Sequence, residues 1–475
     1  MGRRGVKSNF IYTLTYNFLN ILIPFIITPI LSRKLGAENI GIYSYYYAIA
    51  YYFVIVTMLG LNNYGNRSIA SVRDDAEKLS KTFWDIYYLQ LFMSVLAIIV
   101  YSLYFVFFAE QKAIAGLLLL YVISAGLDVT WAFFGLEQFK FTVIRNLIIK
   151  CLTLSLILLF VKRKSDLGLY TAIMSAGFLL SQLFLWTRVK GIFRFRKPNI
   201  KDSLVHLKPN LVLFIPVVAI SIYNMMDKIM LGNMQNMEQV GFYDSAIKII
   251  NIPQVIVTAL GTVMLPKITN LISTGGRDKA TNYLNKSLIF VAVISSAFTF
   301  GIMTVSKEFV NLYLGPGFEE VIMLLHMLMP CLIFKAYANV ARTQYLIPMG
   351  FDAVFVKSVC FGAIINFVFN FILIPRMAAR GACIGTIAAE IFVAVYQLAY
   401  LNKKEHVLKY VFNGLVFQVF GLIMYIAVSA IPFKAHDAAI VLLIYKTIAG
   451  AFIYIVLSIS YFLIIKTVRN QKRGA

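Results

Sequence analysis

Runs of about 20 apolar residues, separated by short polar stretches, recur along the chain from one end to the other. Each run is long enough to cross about 30 Å of hydrocarbon as an α-helix. The pattern predicts an all-α integral membrane protein with about fourteen transmembrane helices. The predicted spans are 9–31, 40–60, 84–108, 113–135, 143–161, 167–187, 209–232, 241–265, 285–306, 321–344, 353–374, 380–401, 410–431 and 438–465.

Composition supports a membrane protein and argues against an enzyme. The 475 residues are 60% hydrophobic and 14% charged, against roughly 25% charged residues in soluble domains. The longest polar stretch, Arg188 to Asn210, is too short for a catalytic domain. The four histidines and four cysteines show no metal-ligand or redox spacing, and no P-loop is present. We therefore predict no enzymatic activity, no cofactor and no metal, and interpret the cysteines as small buried hydrophobic residues.

Basic residues are distributed unevenly between alternate loops. The net charge of +23 would suggest nucleic acid in a soluble protein. Here the loops on one side carry more than twice as many Lys and Arg as the loops on the other. This bias predicts that both termini are cytoplasmic, with lipid headgroups rather than nucleic acid as neighbours. The loop Lys162–Lys164 departs from the pattern. The basic start and first apolar run lack a nearby cleavage site, so this run is interpreted as a span.

An internal repeat organises the chain. Glu38–Tyr43 (ENIGIY) matches Glu238–Tyr243 (EQVGFY) at a shift of 200 residues, and Ile55–Gly60 matches Ile256–Gly261 at a shift of 201. Six predicted spans separate the copies, so both have the same orientation in the membrane. The sequence therefore predicts two parallel six-helix lobes plus a terminal helix pair. The boundaries are 1–208, 209–405 and 406–475, the last segment including a basic cytoplasmic tail.

Two such lobes are typical of a transporter whose substrate passes between them while one lobe rocks against the other. Prolines inside the predicted spans favour bends in the helices that line this path; tolerated kinks in packed helices are an equally good explanation. These prolines are Pro24, Pro29, Pro216, Pro253 and Pro330.

Four charges lie in the apolar runs around residue 238. A charge near the centre of a membrane helix costs about 2.5–3.5 kcal/mol on insertion scales, so Asp227, Lys228, Asp244 and Lys248 need an explanation. Asp244 and Lys248 are four residues apart, acid first, which favours a self-paired bridge. The functional alternative is that Lys248 and Lys228 line a water-filled cavity and bind an anionic group.

Further residues are candidates for substrate binding. Arg67 follows the second span, where it could hold a phosphate with two parallel hydrogen bonds or simply anchor the helix at the membrane surface. The other embedded cations are Arg145, Lys335, Arg342 and Lys357. Tyr43 and Tyr47 belong to a tyrosine-rich run that could stack on sugar rings, although packing tyrosines are commoner.

Embedded acids are fewer than embedded cations, which favours a phosphorylated substrate. Asp128, Glu137, Asp227 and Asp244 are candidates for coupling transport to a proton or sodium gradient, and no feature of the sequence selects either ion. Lys446 lies in the terminal pair, where it is interpreted as a local or lipid contact. Glu390 has no partner assignable from sequence.

Three motifs resemble the polysaccharide-exporter branch of the MOP superfamily, the Wzx-type flippases. They are YGNRSIA (Tyr64–Ala70), DKIMLG…VGFYDSAIKI (Asp227–Ile249) and INFVFNFILIPRMAARGACIGTIAAE (Ile365–Glu390). The third is the most specific, and the resemblance covers nearly the whole chain.

The resemblance implies translocation of undecaprenyl-pyrophosphate-linked oligosaccharide units from the inner to the outer leaflet of the bacterial cytoplasmic membrane, for O-antigen, capsule or related polysaccharides. It also implies a central cationic cavity, with a polysaccharide polymerase and a chain-length regulator as possible partners. Related lipid II flippases place arginines on the first span, but this chain has no charge between Phe10 and Ser32. That difference argues against lipid II as the substrate.

Two alternatives remain open. An ion-coupled antiporter of small amphiphiles or drugs would share the fold, although drug-exporting branches tend to have acidic cavities. A membrane glycosyltransferase or polymerase usually carries a larger outer domain than the loop 306–320 can provide. Around Lys248 the first half of the chain has tyrosines and Ala48 at the equivalent positions. The sequence therefore predicts that the second lobe supplies cations and the first supplies an aromatic wall.

Overall fold

The computed structural model describes residues 3–431 and 438–474, with side chains described from residue 23 to 467 apart from Tyr223 and the gap. Within these ranges the chain is α-helical and contains no strand, which confirms the predicted all-α class. The helices are α1 (Arg3–Met58), α2 (Leu61–Val72), α3 (Ala76–Phe107), α4 (Lys112–Gly126), α5 (Thr130–Gly135), α6 (Phe139–Phe160), α7 (Leu167–Ile192), α8 (Ile200–Val205), α9 (Leu207–Met234), α10 (Met237–Ser273), α11 (Arg277–Tyr313), α12 (Glu319–Leu328), α13 (Cys331–Ala341), α14 (Asp352–Glu405), α15 (Leu408–Ser429) and α16 (Ala439–Gly474). A 3₁₀ turn spans Lys164–Asp166, and a π-helical turn, Arg342–Leu346, extends α13.

In the described chain, ten helices are long and apolar enough to cross a membrane, or up to twelve if each of two bent pairs counts as one span. One bent pair, α12 with α13, turns by 41° next to Pro330. Helices α1 and α14 each contain a non-helical residue, Gly36 and Ala378 respectively. A straight helix of either length would extend about 80 Å at 1.5 Å per residue, more than twice the hydrocarbon thickness, but the non-helical residue divides each into two helical segments. Counting each as two spans would give fourteen, and that number stays a prediction.

The chain packs as two compact units, Met1–Gly241 and Phe242–Ala475. The lobe boundary at 208, drawn from the repeat, stays a prediction. The first unit holds an aromatic core in which the rings of Phe83 and Phe193 stack with centroids 3.9 Å apart. The Trp84 indole N–H donates to the backbone oxygen of Arg194 at 2.9 Å. This core fixes the segment after α7 against the start of α3.

Helix α2 lies where the sequence predicts only an interval between spans. Twelve residues are too few to cross a bilayer, and its apolar positions form one narrow stripe. Leu61, Gly65 and Ile69 are buried and four residues apart, so they share one face. A Cβ on Gly65 would lie 2.5 Å from the Trp131 ring, so α2 rests directly on α5. The opposite face carries Arg67, which is exposed.

The two copies of the repeated motif touch inside the first unit. A Cβ on Gly41 would lie 1.6 Å from the backbone oxygen of Met237, and a Cβ on Gly241 would lie 1.9 Å from that of Ala37. The contact is reciprocal, because residues 37 and 41 correspond to 237 and 241 at the same shift of 200. Only glycine permits backbones to approach this closely, and such crossings are commonly held by Cα–H···O contacts.

In the second unit, the most specific sequence motif forms the hairpin inside α14. Asn366 and Asn370 are fully buried, and the Asn370 amide donates to the Asn366 side-chain oxygen at 3.2 Å. A Cβ on Gly385 would lie 2.2 Å from the Asn370 side-chain oxygen, and one on Gly381 would lie 2.6 Å from the backbone of Leu373. Small residues on one arm thus make room for the amides of the other.

Candidate functional site

A pocket of about 460 Å³ lies between α2 and α9 in the first unit. Its lining residues are Tyr64, Arg67, Ser68, Ser71, Pro209, Val212 and Leu213. The α2 side of the pocket is polar, with one guanidinium and three hydroxyl groups, and the α9 side is apolar. A guanidinium in this setting can hold a phosphate or carboxylate with two parallel hydrogen bonds.

Tyr64 is held in place by His206, a residue for which the sequence suggests no role. Its hydroxyl lies 2.7 Å from Nδ1 of His206, which stands between α8 and α9. Burial lowers the pKa of His206, and the nearby carboxylates of Asp85 and Asp202 act in the opposite direction while Lys81 reinforces the shift. A neutral imidazole that carries its proton on Nε2 accepts the Tyr64 hydroxyl proton at Nδ1.

We expect the stability that His206 contributes to depend on pH. A histidine with a lowered pKa binds its proton more readily in the unfolded chain, so its contribution is present above about pH 6.5 and is lost as pH falls. The difference in thermal midpoint between the native protein and His206→Gln should therefore shrink from pH 7.5 to pH 5.5. Glutamine can still accept from Tyr64 but does not titrate. A difference that stays constant over this range would contradict the argument.

Three embedded lysines of the second unit are paired with carboxylates. Lys248 Nζ lies 2.7 Å from Asp244 Oδ2, so the self-paired arrangement is the one found. The Lys248 side chain remains 34% exposed while that of Asp244 is 3% exposed, so the lysine retains donors for a ligand. Lys446 Nζ lies 2.7 Å from Glu308 Oε1, which gives it a protein partner and ties α16 to α11.

The third pair links three helices. Lys335 on α13 lies 3.1 Å from Glu390 on α14, and both side chains are largely buried. The same ammonium donates to the side-chain oxygen of Gln254 on α10 at 3.4 Å. Lys335 is thus the partner of Glu390 that could not be assigned from the sequence. The charge of Lys335 is balanced within the second unit, which makes it a weaker candidate for binding an external anion.

The remaining predicted cations lie in dissimilar surroundings. Arg145 is 3% exposed and donates to the backbone oxygen of Ser181 and the side chain of Gln182, both at 3.4 Å. Lys357, at the corresponding place in the other half, is exposed.

Two further cations sit on α9 and on the π-helical turn. Lys228 on α9 is 8% exposed. Arg342 begins the π-helical turn with its guanidinium 5.3 Å from the centre of the Phe355 ring. Such turns frequently mark functional positions in helices.

The predicted aromatic residues pack against their neighbours in the first unit. The rings of Tyr43 and Tyr170 meet edge to face at 4.7 Å, and Tyr47 stacks on Tyr121 at 5.1 Å. Tyr43 is 8% exposed and Tyr47 is half-buried. This packing role is the commoner one for tyrosines, and a role in sugar stacking stays a prediction.

The four acids predicted to couple ions occupy four different settings. Asp128 accepts from the backbone N–H of Thr130 at 2.9 Å. Glu137 is ion-paired with Arg73. Asp227 is 2% exposed, and Asp244 holds Lys248. In the part of the chain described here, no three His, Cys, Asp or Glu residues are grouped so that they could hold a metal.

Several residues that shape these sites carry no signal in the sequence. Ser71 sits in an interval between predicted spans, and His206 lies in the long basic loop. Gln254 and Glu308 are single polar residues whose partners are distant along the chain. Of the cysteines, Cys331 and Cys383 are buried as predicted, and Cys360 is intermediate. Cys151 is exposed, contrary to the prediction, on α6, a helix long enough to cross a membrane.

Comparison with known families and proteins agrees with the motifs. The model of the family described as polysaccharide biosynthesis protein matches residues 6–272, more than half of the chain. A protein of Escherichia coli (strain K12) named as an O-antigen transporter is 23% identical over 409 residues, covering 84% of this chain and 98% of that protein. An O-antigen transporter of Shigella dysenteriae is also 23% identical, over 403 residues, covering 83% and 99%.

Solved structures show the same fold at low identity. The lipid II flippase MurJ, in an inward closed conformation, superposes with a TM-score of 0.78 at 15% identity, covering 96% of this chain and 99% of that one. An inward-facing multidrug resistance MATE transporter of the MOP superfamily gives 0.63 at 14% identity, covering 84% and 95%. These named proteins are transporters and flippases rather than enzymes. The chain is a multi-span membrane protein that belongs to the polysaccharide biosynthesis protein family.

Proposed function

We propose that this protein is a flippase for lipid-linked oligosaccharides. Its substrate is a repeat unit carried on undecaprenyl pyrophosphate, which it moves from the inner to the outer leaflet of a bacterial cytoplasmic membrane by alternating access. The observation that carries the proposal is the likeness to two O-antigen transporters along almost their whole length. The fold shared with a lipid II flippase supports it.

The charges of the chain suit such a substrate. A pyrophosphate needs guanidinium or ammonium donors, and Arg67 and Lys248 are the two predicted binding residues that combine exposure with a defined setting. Arg145, Lys228, Lys335, Arg342 and Lys357 are secondary candidates. Tyr43 and Tyr47 would support the site by packing rather than by direct contact.

Energy for transport would come from a proton or sodium gradient. Asp244 is the best placed of the four candidate acids, because protonating it would release Lys248 from its 2.7 Å ion pair. A polysaccharide polymerase and a chain-length regulator would act on the product at the outer face. Both termini would lie in the cytoplasm, in accordance with the distribution of Lys and Arg between loops.

Deleting the gene should abolish surface polysaccharide, measured by gel electrophoresis of extracted glycans. Complementation with Lys248→Ala should restore export to a small fraction of the native level. Complementation with Lys78→Ala should restore it fully, because Lys78 is a surface residue with a 74% exposed side chain. Membrane levels of each variant are compared by immunoblot.

Intact surface glycans after deletion, accompanied by new sensitivity to drugs, would contradict the flippase and favour an antiporter. Normal export by Lys248→Ala would remove that residue from the site without affecting the assignment of function.

A further inference from the structure

We propose that the pocket between α2 and α9 is a binding site for a sugar diphosphate, in which Arg67 holds the phosphate and the hydroxyls beside it receive the sugar. The proposal deepens the proposed function, since it names the chemistry recognised at one surface of the first unit. It also assigns a role to His206, as a positioning residue acting through Tyr64.

Charge balance separates Arg67 from the basic residues around it. Arg73 pairs with Glu137, and Lys81 lies 3.1 Å from Asp202. Among the residues that the structure describes, no carboxylate lies within ion-pair distance of Arg67. Arg67 lines the pocket instead. The pocket therefore contains a positive charge that no carboxylate of the described residues neutralises, and this charge is available to an anionic ligand.

Two of the three hydroxyl groups beside it, those of Tyr64 and Ser71, are arranged to accept hydrogen bonds. With the His206 proton on Nε2, Tyr64 donates its hydroxyl proton to Nδ1, and the Ser71 hydroxyl donates to the backbone oxygen of Ser68 at 2.8 Å. With their protons used inside the protein, the Tyr64 and Ser71 oxygens offer lone pairs to a ligand. Phosphate oxygens at neutral pH are mainly acceptors and gain nothing from them. Sugar hydroxyls are donors, so a phosphate attached to a sugar matches the pocket better than a phosphate alone.

The third feature is the apolar wall. Pro209, Val212 and Leu213 on α9 face the polar side of the pocket. Such a wall accommodates the C–H face of a sugar ring or the start of an isoprenoid chain. A volume of about 460 Å³ falls within the range of small-molecule sites. The chemistry is shared by a lipid-linked sugar diphosphate and a soluble nucleotide sugar.

The test is a binding measurement on the purified full-length protein in nanodiscs. The probes are farnesyl-diphospho-N-acetylglucosamine, UDP-N-acetylglucosamine and inorganic pyrophosphate. We expect both sugar probes to bind at least about tenfold more tightly than pyrophosphate. The tighter of the two identifies the source of the sugar diphosphate, lipid-linked or soluble. Equal binding of pyrophosphate and both sugar probes would overturn the recognition of sugar.

Variants test the individual roles. Arg67→Gln should weaken the binding of all three probes at least about tenfold, and Arg67→Lys should weaken it less. The surface control Lys78→Gln should leave the three affinities unchanged. Tyr64→Phe should reduce the preference for sugar probes over pyrophosphate while leaving pyrophosphate binding unchanged. His206→Phe should act in the same way as Tyr64→Phe. Thermal midpoints are measured for each variant, so that weak binding by a folded protein is distinguished from unfolding.

Native affinity of Arg67→Gln for every probe would overturn the site. This outcome is independent of the proposed function, because binding does not require transport. Arg67-dependent binding in a protein whose deletion leaves surface polysaccharide intact would support the site and count against the flippase. If deletion abolishes surface polysaccharide but Arg67→Gln binds every probe with native affinity, the flippase is supported and the site is contradicted.

Discussion

Replacing Gly41 by alanine should destabilise the protein by about 1–3 kcal/mol or more, because the added methyl group has no space to occupy. Its Cβ would lie 1.6 Å from the backbone oxygen of Met237, a distance that only displacement of one helix can relieve. The same result is expected for Gly241→Ala, whose Cβ would lie 1.9 Å from the Ala37 oxygen. The measurement is the thermal unfolding midpoint in detergent, together with the yield of monodisperse protein.

Gly168 provides the matched control. It also lies in a helix, α7, and a Cβ there would meet nothing within 4 Å. Gly168→Ala should leave the midpoint nearly unchanged, because the added methyl group enters open space near the start of the helix. Equal midpoints for Gly41→Ala and Gly168→Ala would show that the close crossing is not required for stability.

Breaking the ion pair between Lys335 and Glu390 should have the other large effect. Removing one partner of a buried pair leaves an uncompensated charge, which typically costs 3–5 kcal/mol. Lys335→Met and Glu390→Met should therefore each lower the unfolding midpoint strongly. The double variant should recover much of the loss, because neither charge is then left in an apolar setting. Gln254, which loses its lysine donor, should keep the recovery incomplete.

An exposed ion pair serves as the comparison for these single and double variants. Lys78 and Asp75 are 3.2 Å apart, but their side chains are 74% and 44% exposed. Replacing either should change the midpoint little, since water solvates the remaining charge. If the Lys335 and Glu390 single variants were as mild as these, or if their effects were simply additive, the pair would not be a buried, coupled interaction.

The features predictable from the sequence are those that depend on local patterns. Apolar runs predict the helices, and the shared E-x-x-G-x-Y motif predicts a repeat whose two glycines occupy equivalent positions in one contact. The spacing of Asp244 and Lys248 predicts a bridge that forms. Each of these signals lies within one helix or in two similar stretches of sequence.

The features that could not be predicted depend on which helices become neighbours. Lys335 is 55 residues from Glu390, and Lys446 is 138 residues from Glu308. Their pairing follows from the packing of helices, which charge and spacing alone do not encode. Helix α2 was missed because three buried positions in twelve residues give too weak a pattern. The Arg67 pocket, which depends on that helix, was out of reach for the same reason.

The reciprocal contact of Gly41 and Gly241 has a consequence for the ancestry of the chain. In a protein made of one copy of the motif, the same contact would join two identical molecules, each glycine lying on the backbone of its twin, as in a symmetric dimer. Gene duplication and fusion would then have converted the one glycine position of the ancestral motif into two, Gly41 and Gly241. Each would since have mutated independently, so a change at either glycine would suffice to break a contact that a single codon controlled before the fusion. Glycine should therefore persist at both positions in descendants of the fusion while the surrounding residues drift apart.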